Sequence, residues 1–301
     1  MRAKPVLLLV LAATLAAGAC GSDTQPSTSD RPAVTEKADL GAPLPDAVQQ
    51  KGALAIGVKC DYPPFGYIDE AGGNAGFEID IAHRLAGYAF GDESKVELTC
   101  VTGSNRVPFL TTNRIDLIMA TMNYTPERAQ TIDFTSPYFA GGVKMLVPQG
   151  SSIGGWDDLG GKSVITIKGS TASLWLTQCK PDVEQVPFEQ TSEALTALTQ
   201  SRADAFAQDD TLLVDLAAKN KATKVVGEVK ADSPWGMGVR KGDTAMAGWV
   251  NAALKKMQDE DLFWTAFQES VTDKKVQQEF AKVLPRPGND LSYPSGPIIT
   301  C

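Results

Sequence analysis

The stretch IDLIMATMNYTPERAQTIDFTSPYF, residues 115–139, contains a mainly apolar segment that changes abruptly into a polar turn. Residues 115–121 predict a buried strand of a parallel sheet, because they are largely apolar and turn residues follow them. The YTPER group then indicates the start of a helix, since Thr125 can cap it and Pro126 suits its first position. We therefore expect a strand that ends in polar side chains and leads into a helix.

Strand and helix patterns alternate on both sides of this stretch. Upstream, apolar runs at 53–58 and 95–101 predict two further strands, and helical segments separate the three strands. This βαβαβ order predicts a parallel sheet with helices on both faces. A second set of strands and helices extends from residue 144 to residue 270. The sequence therefore predicts an α/β protein with two lobes of similar size, between which the chain crosses twice.

The composition argues against several classes of function. The chain has 301 residues, which suggests about two domains, and a net charge of −8, which disfavours a nucleic-acid-binding protein. Its single histidine, His83, lies among the polar positions of a predicted helix. Catalytic triads and most zinc sites need histidine. We therefore expect no catalytic residue, no metal site and no cofactor.

The N-terminus predicts export. Residues 1–19 combine a short basic segment, an apolar run too brief to span a bilayer and small residues before Cys20, which is typical of a signal peptide. A cysteine at the cleavage point resembles a bacterial lipobox. We therefore expect Cys20 to be lipidated and to anchor the chain to the outside of the cell membrane; plain secretion is the alternative. Residues 20–48 are rich in Ser, Thr, Pro and Asp, which predicts a flexible tether.

Four cysteines remain after Cys20. An even number of cysteines in an exported chain indicates disulfides, and four cysteines allow three pairings; buried free thiols are the alternative. Cys60 follows the first predicted strand and Cys100 lies near the end of the second. Because consecutive strands are often neighbours, we expect Cys60 to pair with Cys100, which leaves Cys179 to pair with Cys301. The second bond would hold an irregular, Pro-rich tail on the second lobe.

Ligands of open parallel sheets bind outside the carboxyl ends of the strands, and hinge motion closes a cleft between two lobes. The residues that follow the predicted strands are therefore candidates for a binding site. Tyr62 and Phe65 would form its apolar wall, and packing in the core is the alternative for Phe65. The segment after 163–168 opens a helix whose first N–H groups favour an anion. The candidates are Lys59, Tyr62, Phe65, Arg106, Ala120, Thr121, Asn123, Arg128, Lys168, Ser170, Thr171 and Asp209.

Several segments carry a more specific signal. They are YPPFGY, GFEIDIA, the stretch 106–139, DDLGGKSVITIKGST, EALTALTQSRADAFAQDD and WGMGVRKGD. Because these segments occur in the same order over roughly residues 50–265, the chain resembles the family-3 extracytoplasmic solute-binding proteins, which supply polar amino acids to ABC importers.

The resemblance implies a two-lobed, periplasmic-binding-protein-like fold of type II, with parallel-sheet lobes joined by two crossover strands. Lobe 1 would contain residues 49–142 and 237–284, lobe 2 residues 143–236, and a C-terminal tail residues 285–301. The resemblance also implies a monomer without enzymatic activity that closes around a small ligand and delivers it to an ABC permease.

The resemblance assigns roles to several candidates. Arg128 would hold the ligand α-carboxylate, because a guanidinium can donate two parallel hydrogen bonds to a carboxylate; a surface ion pair with a neighbouring carboxylate is the alternative. Thr121 and Asn123 lie where family members add further contacts. Thr171, with the N–H groups around it, would complete this clamp from the second lobe. Asp209 matches the residue that accepts hydrogen bonds from the ligand α-ammonium.

Two cations indicate which amino acid binds. Many relatives carry Asp at the position of Lys59, whereas members that bind aspartate or glutamate resemble this chain in the GVK segment and in an arginine at the position of Arg106. A second ligand carboxylate needs such cations to offset its desolvation. The resemblance therefore implies an acidic amino acid as the ligand. The alternatives are structural roles for both cations, another polar amino acid such as glutamine, or an exported dehydratase of cyclic carboxylates that uses Asp61 or Asp210 as a general acid.

Overall fold

The computed structural model of the protein describes residues 32–301. The predicted signal peptide, the lipidation of Cys20 and the first part of the tether lie outside these residues. No helix within the described range is both long and apolar enough to cross a membrane. The strands are β1 (Leu54–Val58), β2 (Asp61–Tyr62), β3 (Gly66–Ile68), β4 (Asn74–Ala75), β5 (Val96–Cys100), β6 (Leu117–Met119), β7 (Ile132–Phe139), β8 (Val143–Pro148), β9 (Ser163–Ile167), β10 (Glu184–Phe188), β11 (Ala205–Asp209), β12 (Thr223–Lys230) and β13 (Trp235–Arg240).

Helices cover the sheets that these strands form. The helices are α1 (Asp46–Lys51), α2 (Phe77–Phe90), α3 (Arg106–Thr111), α4 (Pro126–Thr131), α5 (Thr171–Cys179), α6 (Thr191–Thr199), α7 (Asp210–Lys219), α8 (Thr244–Asp259), α9 (Leu262–Ser270) and α10 (Lys274–Phe280), with a 3-10 helix at Trp156–Leu159.

The first large sheet, with the helices around it, is called lobe 1 here. Its strand order is β5-β1-β6-β13-β7. β1 is buried along its whole length, as its continuous apolar run predicts for a strand covered on both faces. Parallel pairing places Val58 opposite both Cys100 and Met119. The carboxyl ends of three strands therefore meet at one edge of lobe 1.

The second large sheet and its helices form lobe 2. Its strand order is β10-β9-β11-β8-β12. β9 pairs in parallel with β10 and β11, and it leads directly into α5. Ser170 caps this helix, because its hydroxyl accepts a hydrogen bond from the Ser173 N–H at 3.1 Å. The carboxyl-end edge of lobe 2 therefore presents the N-terminus of a helix.

Both large sheets contain the predicted parallel strands, and each also includes one strand that runs antiparallel to its neighbours. In lobe 1, β13 runs antiparallel to β6 and β7, and in lobe 2, β8 runs antiparallel to β11 and β12. β8 and β13 are the strands that follow the two crossings between the lobes. Each of these two strands starts beside the ends of its neighbours and therefore runs antiparallel to them. In lobe 2, for example, Val143 at the start of β8 pairs with Asp209 at the end of β11. The apolar pattern of a buried strand does not reveal this reversal.

The segment before α1 packs against lobe 1 instead of forming a free tether. The Ala38 N–H donates to the Tyr88 carbonyl oxygen at 3.0 Å. Leu44 and Val48 are buried in the core of this lobe. The predicted flexible tether is therefore wrong for residues 32–48, because apolar residues without regular spacing still cover the surface of lobe 1.

The C-terminal tail runs from lobe 1 to lobe 2. Residues 285–301 contain no helix and no strand, as their Pro and Gly content predicts. Tyr293 stacks on Tyr124, with ring centroids 4.6 Å apart, and Tyr124 is hydrogen-bonded to Ser233 and Pro234 at the second crossing between the lobes. The tail then ends on α5, where Cys301 forms a disulfide with Cys179.

Both disulfides join the predicted pairs, the first expected from the order of the strands and the second by elimination. Cys60 and Cys100 connect the end of β1 to the end of β5, with Cα atoms 5.5 Å apart. Cys179 and Cys301 fasten the tail to lobe 2. The first bond fixes the polar loop that follows β1, which contributes Lys59 to the region between the lobes.

Removing the tail disulfide should destabilise the protein. The double variant Cys179→Ser/Cys301→Ser is expected to lose about 2–4 kcal/mol of unfolding free energy, because the unfolded chain gains the freedom that a closed loop denies it. The bond links residues 122 positions apart, so this loop is long. Urea denaturation followed by circular dichroism measures the effect. An unchanged midpoint and slope would contradict the expectation and would mean that other tail contacts suffice.

Candidate functional site

A cavity lies between the two lobes, where the parallel strands of both large sheets end. Its lining combines residues from both lobes, as expected for a cleft at the carboxyl ends of strands. The predicted candidates in the lining are Lys59, Tyr62, Arg106, Thr121, Asn123, Ser170, Thr171 and Asp209. The lining residues that the sequence analysis did not select are Gly103, Ile167, Gly169, Thr191 and Gln208.

Arg128 joins the two lobes beside this cavity. Thr125 caps α4 by accepting a hydrogen bond from the Arg128 N–H at 3.2 Å, and this directs the start of the helix. The guanidinium donates to the carbonyl oxygen of Asn123 at 2.6 Å and to that of Gly169 in lobe 2 at 2.8 Å. A longer contact of 3.4 Å reaches the Thr171 hydroxyl. Within residues 32–301, Arg128 therefore binds neutral acceptors and forms no salt bridge.

Desolvation makes the environment of Arg128 unusual. Burial removes water from the guanidinium, and this effect, with a smaller one from repulsion by Arg106, lowers the pKa of Arg128 to about 9. The side chain therefore stays cationic at neutral pH. The alternative role of Arg128, a surface ion pair with a neighbouring carboxylate, is not seen in residues 32–301, and the nearby Asp133 pairs with Lys241 at 2.7 Å. The guanidinium is therefore a cation without a bound counter-ion in the described structure.

Arg106 is a second buried guanidinium. It begins α3, is 5% exposed, and donates to the Ala120 carbonyl oxygen at 2.7 Å. Burial lowers its pKa, and the negative charge of Asp209 opposes that shift. No carboxylate of the described chain lies within salt-bridge distance of it. Arg106 lines the cavity and Arg128 lies beside it, so two neighbouring positive charges occur here, each without an ion-pair partner among the described residues.

Lys59 has a partner, which changes its predicted role. Its ammonium lies 2.8 Å from Oδ1 of Asp61, and its side chain is almost fully buried. The other oxygen of Asp61 accepts a hydrogen bond from the Thr191 N–H at 2.6 Å. Thr191 is the first residue of α6 in lobe 2, so Asp61 connects the lobes. Lys59 lines the cavity as predicted, but Asp61 already offsets its charge.

Asp209 supplies a carboxylate to the cavity from the end of β11. Tyr62 donates to its Oδ2 at 2.8 Å, across the gap between the lobes. The other oxygen, Oδ1, is buried and has no hydrogen-bond partner among the described residues. Burial raises the pKa of Asp209 to about 6, while the Tyr62 hydrogen bond and nearby arginines favour its ionised form. Oδ1 is therefore an acceptor available to a cationic group.

Polar contacts from lobe 2 complete the site. The Thr171 hydroxyl donates to Oδ1 of Asn123 at 3.0 Å, and the amide nitrogen of Asn123 donates to the Ser233 carbonyl oxygen at 2.9 Å. The lobes also touch through Gly103 and Gly169. A Cβ at Gly103 would lie 2.4 Å from the Lys168 carbonyl oxygen, so this close approach requires a residue without a side chain.

Four of the predicted candidates are not among the residues that line the cavity. Arg128 lies beside the cavity and contacts the lining residue Thr171, whereas the predictions for Phe65, Ala120 and Lys168 are corrected. Phe65 is 1% exposed and packs in the aromatic core of lobe 1, with its ring 4.9 Å from that of Trp235. Ala120 is buried and contributes its carbonyl oxygen to Arg106. Lys168 is half exposed and pairs with Glu189 at 3.1 Å, so its side chain points to solvent at the rim.

Some lining residues were missed for identifiable reasons. Gln208 precedes Asp209 within β11, and the choice of strand-end residues did not extend back into the strand. Thr191 begins α6 after β10, a strand that the sequence analysis did not predict. Thr191 follows β10, and β10 lacks the apolar run of a buried strand because it is short and partly exposed.

Comparisons with known proteins agree on a single protein family. Residues 54–268 match the family of bacterial extracellular solute-binding proteins, family 3. The ABC transporter glutamine-binding protein GlnH of Bacillus subtilis is 36% identical over 255 residues, covering 84% of this chain and 91% of that protein. The L-arginine-binding protein of Pseudomonas aeruginosa is 33% identical over 218 residues, covering 68% of this chain and 82% of that protein.

The fold agrees with a solved structure. The crystal structure of the cysteine-binding protein from Campylobacter jejuni superimposes with a TM-score of 0.74 at 36% identity, covering 77% of this chain and 93% of that chain. Sequence and structure therefore agree over most of the described residues. The chain belongs to family 3 of the bacterial extracellular solute-binding proteins.

Proposed function

We propose that this chain binds an acidic amino acid, glutamate or aspartate, between its lobes and delivers it to the permease of an ABC importer. Membership of an extracellular solute-binding family supports capture of a small ligand outside the cell membrane. Relatives named for glutamine and arginine binding support an amino acid as the ligand. The acidic side chain is a finer inference from the charges of this cavity.

The observation that carries the proposal is a pair of guanidinium groups without counter-ions. In the described chain, neither Arg106 nor Arg128 forms a salt bridge, whereas Lys59 is offset by Asp61. Asp209 has a free acceptor for an α-ammonium group. A ligand α-carboxylate would offset Arg128, and a second carboxylate would offset Arg106. A neutral ligand side chain would leave the buried charge of Arg106 without a carboxylate in salt-bridge distance, which is costly.

Glutamine is the alternative ligand, and two observations favour it. The first is the identity of 36% with a glutamine-binding relative. The second is Glu78, a buried carboxyl group whose charge acts on Arg106 and could offset it when ionised. An amide side chain could then bind without leaving a net charge. Affinities for glutamate and glutamine separate these two ligands.

An exported dehydratase is a weaker alternative. Its general acid would have to reach the ligand, and neither Asp61 nor Asp210 is part of the cavity lining. Asp61 is engaged by Lys59 and by the Thr191 N–H. Asp210 accepts a hydrogen bond from the Thr211 N–H at 2.8 Å. These contacts support a binding role without chemistry, and turnover of a cyclic carboxylate such as arogenate would contradict it.

Isothermal titration calorimetry tests the proposed ligand. Protein that has been unfolded and refolded, to remove retained ligand, is titrated with aspartate, glutamate, asparagine, glutamine and arginine at neutral pH. We expect glutamate or aspartate to bind at least about tenfold more tightly than its own amide, because each amide lacks the charge that pairs with Arg106. Tighter binding of glutamine or arginine would contradict the proposal.

The lipid anchor on Cys20 and the monomeric state stay predictions. We propose both from the sequence, since Cys20 lies outside the described residues. Mass spectrometry of the protein extracted from membranes would detect acyl chains on the N-terminal cysteine, and an unmodified mature chain would contradict the anchor. Light scattering of the soluble domain would test the monomer.

A further inference from the structure

The peptide group between Ala120 and Thr121 connects two buried side chains of opposite charge. Its carbonyl oxygen accepts a hydrogen bond from Arg106 at 2.7 Å. Its N–H donates to Oε1 of Glu78, also at 2.7 Å. The C=O and N–H of a trans peptide point in opposite directions, so the dipole places its negative end at the guanidinium and its positive end at the carboxylate. Arg106 and Glu78 therefore bond opposite ends of one buried peptide group, although no direct salt bridge joins them.

Glu78 lies behind the cavity and does not line it. It belongs to α2, is 0% exposed, and accepts a second hydrogen bond on Oε1 from the Tyr138 hydroxyl. Its Oε2 has no hydrogen-bond partner in residues 32–301. The charged and titratable groups that face it are Tyr138 on β7, Arg106 on α3, Lys59 after β1 and Asp209 from lobe 2.

These surroundings make the charge of Glu78 adjustable near neutral pH. Burial raises the pKa of Glu78 to about 7, while the hydrogen bonds from Tyr138 and Thr121 and the charges of Arg106 and Lys59 act in the opposite direction. The group therefore exchanges between its neutral and ionised forms under physiological conditions. When it is ionised it opposes the charge of Arg106, and when it is neutral it does not.

We propose that Glu78 determines how strongly the cavity prefers an anionic over a neutral ligand side chain, by opposing the charge of Arg106 through the Ala120–Thr121 peptide group. Glu78 acts through Arg106 and is therefore a positioning and charge-setting residue. The inference rests on the proposed function, because it assumes that the ligand side chain reaches Arg106. It predicts that an acidic ligand binds together with a proton on Glu78.

The sign of the pH dependence follows from the charges. A ligand carboxylate at Arg106 adds negative charge near Glu78, which raises the pKa of Glu78 in the complex above its value of about 7 in the free protein. The complex then holds more protons than the free protein, so affinity for glutamate falls as pH rises through this range. Asp209 also titrates, but glutamate and glutamine present the same α-ammonium to it. The ratio of their affinities therefore isolates Glu78.

Calorimetry with L-glutamate and L-glutamine, from about pH 6 to 8.5, tests the inference on the wild type, Glu78→Gln and Tyr138→Phe. In the wild type we expect the ratio Kd(Gln)/Kd(Glu) to fall about tenfold over this range, which corresponds to one unit of pKa coupling. In Glu78→Gln the ratio should stay at its high, low-pH value. In Tyr138→Phe the fall should shift to higher pH, because the ionised carboxylate loses a hydrogen bond.

Several outcomes would overturn the inference: a constant ratio in the wild type, an unchanged fall in Glu78→Gln, or an equal loss of both affinities in that variant without a change in the ratio. If Glu78→Gln does not fold, titrations of the wild type in two buffers of different ionisation enthalpy still decide the question. Greater proton uptake with glutamate than with glutamine supports the inference, and equal uptake overturns it. Glutamine that binds more tightly at every pH contradicts the proposed function, whereas the change of the ratio with pH still tests Glu78.

Discussion

Arg128→Gln is expected to weaken binding of every amino acid by about a thousandfold, whether the ligand side chain is acidic or neutral. The α-carboxylate is common to all of these ligands, and the loss of one partner from a buried charge pair costs about 4 kcal/mol, within the usual range. The guanidinium already bonds the Asn123 and Gly169 carbonyl oxygens, so it is held where both lobes meet. Calorimetry with glutamate and glutamine measures the loss.

Arg114→Gln is the matched control for this prediction. It removes one arginine charge from lobe 1, but Arg114 is exposed and stacks on the Phe109 ring at 4.0 Å. Both affinities should stay within about twofold of the wild type, because Arg114 is exposed and precedes β6, at the sheet edge opposite to the cavity. A loss of less than about tenfold in Arg128→Gln, with the control unchanged, would contradict its role as the α-carboxylate ligand.

Arg106→Gln should weaken the binding of acidic amino acids but not that of neutral ones. Glutamate affinity is expected to fall about a hundredfold, or about 2.7 kcal/mol, because a charge-assisted bond to the side-chain carboxylate is lost. Glutamine affinity should change by less than about threefold, since its amide does not depend on a cation. Titration of both ligands gives the ratio Kd(Gln)/Kd(Glu), which should fall to about one or below.

Because Arg106 is buried, a general loss of structure must be separated from a loss of selectivity. Arg106→Lys keeps the positive charge and should retain part of the preference for glutamate, although an ammonium lacks the planar fork of a guanidinium. Circular dichroism and the thermal midpoint check that each variant is folded. Equal losses for glutamate and glutamine in folded Arg106→Gln would show that this residue does not contact the ligand side chain.

The fold was predictable from local patterns except where long-range geometry decides it. Leu54–Val58 is a continuous apolar run, and the structure has a strand there. The stretch 115–139 gave both a strand and a capped helix, with Thr125 as the cap. The reversal of β8 and β13 depends on where the chain crosses between lobes, and no residue in either strand encodes it. The packed segment 32–48 was missed because its apolar residues have no regular spacing.

The sequence predicts most of the residues that line the candidate site, but it does not predict which of their charges are paired. Most of the strand-end candidates line the cavity, since parallel strands end at one edge. Lys59 was expected to be a free cation for the ligand, but Asp61, two positions later, offsets it. Glu78 lies in the GFEIDIA motif, but the sequence does not indicate its role, because its link to Arg106 passes through a peptide group from another part of the chain. Such pairings depend on tertiary structure.

A crystal structure of the complex with L-glutamate would test the central claim most directly. We predict the α-carboxylate within hydrogen-bond distance of Arg128, the α-ammonium at Asp209, and the side-chain carboxylate at Arg106. Failure to form the complex, or a bound glutamate whose side chain points away from Arg106, would contradict the account.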